Sequence, residues 1–205
     1  MIKCDNPNWR RRVRGRHLGR LLSIFVLSFD ACLNLVLAEV RQPDGYRMEF
    51  YDAEVPAALD GASTITAVEL KRLQNNAAAV VIDVIPEHRR PRALPENQIW
   101  MPVAHKGVPG AIWLPDTGYG VLSEITEKYF KRHLSIATGG DKRRHVVFYC
   151  RTDCWMSWNA AKRALSYGYT RVYWFRNGLD DWLFEGYDFE VLVPAAGRRQ
   201  AQVGE

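Results

Sequence analysis

A chain of 205 residues, 47% apolar and 12% aromatic, has room for one packed domain plus a targeting segment and is short for two full cores. Its formal net charge of +5 is concentrated at one end: residues 1–38 hold seven of the 28 Lys and Arg and two of the 23 Asp and Glu, which leaves 21 of each sign in the remainder. That balance excludes the clustered basic footprint of a nucleic-acid-binding protein, and no long charged or low-complexity tract points to general disorder.

Residues 1–38 have the order of an export signal. Arg10, Arg11, Arg12, Arg14, Arg16 and Arg20 precede an apolar run, residues 21–29, that continues to Ala38, and Val36-Leu37-Ala38 offers a cleavage point before Glu39. Asp30 and Asn34 interrupt the run, which is short for a spanning helix of about 20 residues. The mature chain is therefore expected in the periplasm with no membrane span, and Arg11-Arg12 leaves both Sec and twin-arginine export open. Cys4 and Cys32 leave with the signal, so Cys150 and Cys154 remain as a pair in an oxidising compartment, where a disulfide can persist.

Residues 39–62, with Pro43, Gly45, Pro56 and Gly61, read as an extended arm. Thr66-Ala67-Val68-Glu69 is a capping box and predicts a helix through Asn75 or Asn76, with Leu70 and Leu73 on its apolar face. Residues 77–84 (AAAVVIDV) are a continuous apolar run with β-branched members, the pattern of a strand buried on both faces of a parallel sheet, and Asp83 sits at its C-terminal end. Residues 86–106, rich in Pro and Arg, read as a long loop or insertion; residues 107–115 give a turn, a short strand and a stop. An amphipathic helix is expected at 123–134, ending before Gly139-Gly140. A strand at 145–149, a helix at 157–167 stopped by Gly168, a strand at 171–175, a turn at Asn177-Gly178 and a short helix at 179–185 follow. They complete a domain over residues 63–193, with a disordered tail at 194–205. The alternation predicts an α/β fold, a mostly parallel sheet flanked by helices on both faces, in a single domain expected to be a monomer.

The strand at 145–149 runs into Cys150-Arg151-Thr152-Asp153-Cys154-Trp155-Met156, and the next helix is expected from about Ser157. In a parallel sheet this puts Cys150 at the carboxyl end of a strand, where ligands bind, beside the free amides of a helix N-terminus. Those amides favour the thiolate, the nucleophilic form of cysteine.

Asp83 closing the first apolar strand, Val108-Pro109-Gly110-Ala111-Ile112 before Leu114-Pro115, Cys150 after a short strand, Ser157 with Ala160 and Ala161, Gly168-Tyr169, and Gly178 with Trp182 and Gly186 together resemble the rhodanese pattern in order and spacing. More narrowly, Cys150-x-x-x-Cys154-Trp155-Met156-Ser157-Trp158-Asn159-Ala160-Ala161, with Pro115-Asp116-Thr117-Gly118-Tyr119-Gly120, is similar to the PQQ-dependent-catabolism-associated CXXCW-motif proteins. The resemblance implies a rhodanese-like fold, sulfur transfer through a persulfide on Cys150, and a periplasmic setting beside quinoprotein dehydrogenases that oxidise alcohols. The loop departs from the family pattern in three ways. Counted from Cys150 to Met156 it is one residue longer than usual. It ends in Met156, which cannot clamp phosphate as the arginine of the related phosphatases does. Asp153 also sets a negative charge where an anion such as thiosulfate would approach, and Gly107 stands where the family often has a histidine.

Three chemistries fit these residues. Cys150 could attack a small sulfur donor, with Arg151, Thr152, Asp153, Trp155, Met156 and Ser157 as the substrate-binding loop. Cys154 could resolve an oxidised Cys150 in thiol-disulfide exchange with a periplasmic redox partner. The two thiolates could also hold copper as Cu(I), or serve another redox cofactor. A structural disulfide, or a non-catalytic rhodanese-like binding module, is the bland alternative. Asp83 is expected either to orient the loop or to meet Arg89, Arg90 or Arg92 of the insertion. His88, His105, His133 and His145 lack metal spacing and read as surface or loop residues. Trp155 and Trp158 read as core residues or as a lip for an apolar ligand, and Asp180 and Asp181 as first-turn residues of a short helix.

Overall fold

The computed structural model describes residues 39–77 and 79–197. The expected export signal and residues 198–205 of the expected tail lie outside the described residues. In chain order the elements are β1 (Ser63–Ile65), α1 (Ala67–Ala77), β2 (Val80–Asp83), β3 (His105–Gly107), β4 (Ile112–Trp113), α2 (Glu124–Thr138), β5 (Val146–Tyr149), α3 (Trp155–Ser166), β6 (Val172–Phe175), α4 (Gly178–Phe184) and β7 (Glu190–Leu192). Five strands form one sheet in the order β1-β6-β5-β2-β4, and every neighbouring pair in it is parallel. Strands that all run parallel require crossover connections: α1 joins β1 to β2, α2 joins β4 to β5 and α3 joins the neighbours β5 and β6. β3 and β7 pair antiparallel in a separate two-stranded sheet.

Every residue of β5, the central strand, is buried, as its uninterrupted apolar sequence requires of a strand covered on both faces. The register aligns Trp113, Asp83, Tyr149 and Phe175 across the carboxyl edge of the sheet, so Cys150, the next residue after Tyr149, emerges at that edge. Trp155, Trp158, Trp174 and Trp182 are all fully buried. Each such ring removes on the order of 150–250 Å² from water.

The capping box forms as expected: Glu69 Oε2 accepts from the Thr66 amide at 2.8 Å, and Thr66 Oγ1 accepts from the Glu69 amide at 3.3 Å. Ser123 caps α2, accepting from the Thr126 amide, and Gly139 closes that helix with φ 63, the left-handed conformation that glycine adopts at least cost. Several boundaries differ from the sequence expectations. α1 runs on to Ala77, because alanine favours helix and the strand begins only where Val80 finds its register partner Val146. β1, β3 and β7 are three residues each, too short for a periodic signal. The described part of the expected tail is packed: Pro194 bridges to Trp113, the Ala195 amide donates to the Trp113 carbonyl at 3.0 Å, and the Tyr129 hydroxyl donates to the Ala195 carbonyl at 3.1 Å. Among the described residues, no helix is long and apolar enough to cross a membrane.

Candidate active site

Cys150 and Cys154 are joined by a disulfide with Cα atoms 6.1 Å apart, within the range of about 4.4–6.8 Å that such bonds span. Both are sealed from solvent, at 0% and 2% exposure. The loop is shorter than its sequence suggested. α3 begins at Trp155, and Cys154, in extended conformation (φ −118, ψ 111), is its N-cap. Trp155, Met156 and Ser157, expected in a substrate-binding loop, lie instead in the first turn of α3 and are buried. The Ser157 hydroxyl donates to the Cys154 carbonyl at 3.3 Å and accepts from the Trp174 indole at 3.0 Å. Trp155 and Trp158 pack edge to face with centroids 5.3 Å apart; both belong to the core, and neither forms a lip. The early helix start places the disulfide at the N-terminus of α3, where the helix dipole favours thiolate once the bond is reduced.

Arg151, Thr152 and Asp153 form the exposed crest of the loop. The Thr152 amide donates to Asp180 Oδ2 at 2.7 Å, and its hydroxyl donates to the Asn177 carbonyl at 2.9 Å. The Leu179 amide donates to the Cys150 carbonyl at 2.9 Å. Gly178 permits that approach: its φ is +55, and a Cβ there would collide with the Cys150 carbonyl. Asp180 therefore does more than complement the α4 dipole, since it fixes the loop; Asp181 reaches across to the Ala67 amide at 2.9 Å. Asp153 has φ 51, the left-handed region that costs a non-glycine residue about 1–2 kcal/mol.

The arm at 39–62 lies across this loop as a strap, a role its sequence did not disclose. The Trp155 amide donates to the Tyr51 carbonyl at 2.8 Å, and Asp52 forms an antiparallel bridge with Cys154. Arg151 lies 4.0 Å from the Asp52 carboxylate. Asn159, fully buried on α3, accepts from the Arg47 amide and donates to the Arg47 and Gly118 carbonyls, each at 2.9 Å. Arg163, buried on the same helix, donates to the carbonyls of Thr117, Tyr119 and Gly120; burial lowers the pKa of its guanidinium. The Pro115 to Gly120 motif is thus a brace for the cysteine-bearing helix. Phe50, next to the strap's contact at Tyr51, is 71% exposed with φ 49. Asn159→Ala should loosen the strap by the roughly 1–3 kcal/mol that a broken buried polar pairing costs. Dithiothreitol should then reduce the disulfide about tenfold faster, the ratio that about 1.4 kcal/mol gives. An unchanged reduction rate would show that reductant does not enter past the arm.

Asp83 meets neither the cysteines nor Arg89, Arg90 or Arg92. It is fully buried; Oδ1 accepts from the Ile85 amide at 2.8 Å, and Oδ2 accepts from the Tyr149 hydroxyl at 2.6 Å and from His105 Nε2 at 2.8 Å. The Tyr149 oxygen accepts in turn from the Val108 amide at 2.9 Å. His105, expected on a loop or the surface, has a side chain only 9% exposed and stacks on Trp113 with centroids 4.0 Å apart. Burial, then the Asp83 charge and the hydrogen bond to it, raise the Tyr149 pKa well above that of an ordinary phenol. Asp83 is therefore a positioning residue. It holds Tyr149, and through the backbone the base of the cysteine loop. Arg89 pairs with Asp116 at 3.1 Å, and Arg90 with the carbonyls of Leu94 and Pro95. His88 is exposed, while His133 meets the Ala196 carbonyl at 2.9 Å and His145 the Tyr173 hydroxyl at 2.9 Å. In the disulfide form, Cys150 and Cys154 offer no thiolates to a soft metal.

The model of the rhodanese-like domain family matches residues 66–185. No curated protein matches the chain in sequence. Among solved structures, the chain is similar to the thiosulfate sulfurtransferase from Pseudomonas aeruginosa, at 20% identity over 65% of this chain and 21% of that one, with a TM-score of 0.45. It is also similar to a rhodanese-like domain from Anabaena sp, at 20% identity over 68% and 88% of the two chains, with a TM-score of 0.42. A third is the polysulfide-sulfur transferase homodimer from Wolinella succinogenes, at 21% identity over 67% and 82%, with a TM-score of 0.41. The chain spans about a fifth of the length of the Pseudomonas protein.

Proposed function

The chain belongs to the rhodanese-like domain family, and from that membership and its paired cysteines we propose an exported protein that handles sulfane sulfur in the periplasm. Reduced Cys150 is the nucleophile. Its thiolate attacks the outer sulfur of a donor, the donor's other sulfur departs as a thiolate, and a persulfide is left on Cys150. The observation that carries this reading is the placement of Cys150: it follows the central strand at the carboxyl edge of the sheet, bonded to a second cysteine that caps α3.

The loop suits a donor of low charge, such as an organic persulfide, better than the thiosulfate dianion. The Thr152 amide is occupied by the Asp180 carboxylate and the Trp155 amide by the Tyr51 carbonyl, so neither is free for a sulfonate oxygen. Asp153 adds a repelling charge. Asp153→Gly should therefore raise the thiosulfate:cyanide sulfurtransferase rate several-fold, since it removes both that charge and a left-handed aspartate. Efficient turnover by the parent protein, slowed by the substitution, would overturn this account of the loop.

The resemblance to CXXCW-motif proteins supports a role beside PQQ-dependent alcohol oxidation, with a periplasmic redox partner rather than a nucleic acid. Export requires the mature N-terminus at or near Glu39; sequencing of periplasmic protein that returned Met1 would refute it. Mass spectrometry of the same preparation tests the central claim. An added sulfur on Cys150 is expected after exposure of the reduced protein to a persulfide donor when resolution by Cys154 is blocked. Retained copper in place of any sulfur would instead favour metal transport.

A further inference from the structure

We infer that Cys154 resolves the Cys150 persulfide, releasing hydrosulfide, so that the protein is a sulfane-sulfur reductase that a dithiol regenerates; this rests on the persulfide reading above.

Three observations combine. Cys154 is close enough to Cys150 to bond it, as the disulfide with Cα atoms 6.1 Å apart demonstrates. It occupies the N-cap of α3 and makes no side-chain capping bond, so in the reduced protein its sulfur is a nucleophile poised at the positive end of a helix. Both sulfurs are closed off by the strap, through the Tyr51 carbonyl on the Trp155 amide and the Asp52 bridge to Cys154; around the loop lie Asp153, Asp180, bonded to the Thr152 amide, and Asp52, 4.0 Å from Arg151. Donor, dithiol and any external acceptor all have to pass this cover, whereas Cys154 is already in place beside Cys150. With the Thr152 and Trp155 amides occupied, the loop is poorly equipped to store a persulfide.

The chemistry balances in three steps. The Cys150 thiolate attacks the outer sulfur of R–S–SH, giving Cys150–S–SH and RS⁻. The Cys154 thiolate then attacks Cys150 Sγ, the Sγ–Sγ bond forms as the Sγ–SH bond breaks, and HS⁻ leaves with the electron pair. A reduced dithiol cleaves the Cys150–Cys154 bond by exchange, is itself oxidised to a disulfide, and returns both cysteines to thiols. The net reaction reduces R–S–SH to RSH and hydrogen sulfide at the expense of one dithiol.

The test uses the full protein, reduced with dithiothreitol, desalted without oxygen and mixed with freshly prepared cysteamine persulfide, a donor of low net charge, with a protein-free sample serving as the blank. The parent protein should release sulfide in stoichiometric amount and lose the mass of two hydrogens, with no sulfur retained. Cys154→Ser should gain the mass of one sulfur on Cys150 and release no sulfide above the blank; Cys154→Ala should do the same, and circular dichroism checks that both are folded. Added dithiothreitol should make sulfide release by the parent catalytic above the rate of the protein-free sample, because it regenerates both thiols. If the parent keeps the added sulfur and releases no sulfide, or if Cys154→Ser releases as much as the parent, the resolving role is overturned while the persulfide reading stands. If neither the parent nor the folded Cys154 variants take up sulfur or release sulfide, the persulfide reading fails as well.

Discussion

Cys150→Ser should abolish sulfane-sulfur uptake, while Cys154→Ser should retain it, although both substitutions break the same disulfide. The comparison works because the stability effects are matched. The bond closes a loop with a sequence separation of only 4, and the chain-entropy estimate for so short a loop is about 2 kcal/mol. Both variants should therefore show a similar drop in urea midpoint relative to the oxidised parent. A purely structural disulfide would stop there and give equivalent phenotypes. A nucleophile and a resolver would not: serine at 150 removes the atom assigned to carry the persulfide, since its hydroxyl is essentially undissociated at neutral pH, whereas serine at 154 leaves that atom intact. Uptake is measured as the added mass of one sulfur after a cysteamine persulfide pulse. Uptake by Cys150→Ser equal to that of Cys154→Ser would move the nucleophile to Cys154, whose place at the helix N-cap makes it the one credible alternative.

The order of strands and helices was legible because each buried strand is an unbroken apolar run and each helix start but one carries a readable signal: Thr66 with Glu69, Ser123, and Asn177-Gly178. α3 is the exception. Its N-cap is a cysteine without a side-chain capping bond, so nothing in Asp153-Cys154-Trp155 announces a helix, and the first serine, Ser157, drew the boundary two residues late. That displacement turned three buried helical residues into an expected substrate loop. The strap was illegible for a related reason. Its hydrogen bonds to α3 run through backbone groups of Pro43, Asp44, Arg47 and Tyr51, and backbone groups carry no sequence signature; the buried polar residues Asn159 and Arg163 of α3 could have hinted that something polar covers that face. His105 was misplaced because an insertion rich in Pro and Arg conceals its three-residue strand, and the carboxylate it meets comes from a strand 22 residues earlier.

Asp83→Ala should be strongly destabilising, lowering stability by about 3 kcal/mol or more, since each of three buried donors left without its acceptor costs about 1–3 kcal/mol. Against a typical total of about 5–15 kcal/mol, that loss brings the domain near its limit. The cause is what remains: His105 Nε2, the Tyr149 hydroxyl and the Ile85 amide all lose their acceptor at a site closed to water. Asp83→Asn should cost less, since its carbonyl oxygen can still accept from Tyr149, but its amide hydrogens then face other donors. The same cluster sets an alkaline limit. The folded pKa of Tyr149 is raised well above 10.0, so the protonated phenol is the form that folding favours. Its contribution is complete below the unfolded pKa of about 10 and is lost as pH rises beyond it, because the unfolded chain ionises while the folded one resists. Urea midpoints at neutral pH and above pH ~10 should therefore fall more steeply for the parent than for Tyr149→Phe, which has no phenol to ionise at this position. Equal alkaline slopes, or a loss below about 1 kcal/mol for Asp83→Ala, a value ordinary for surface-level effects, would mean that the carboxylate does not hold the base of the cysteine loop.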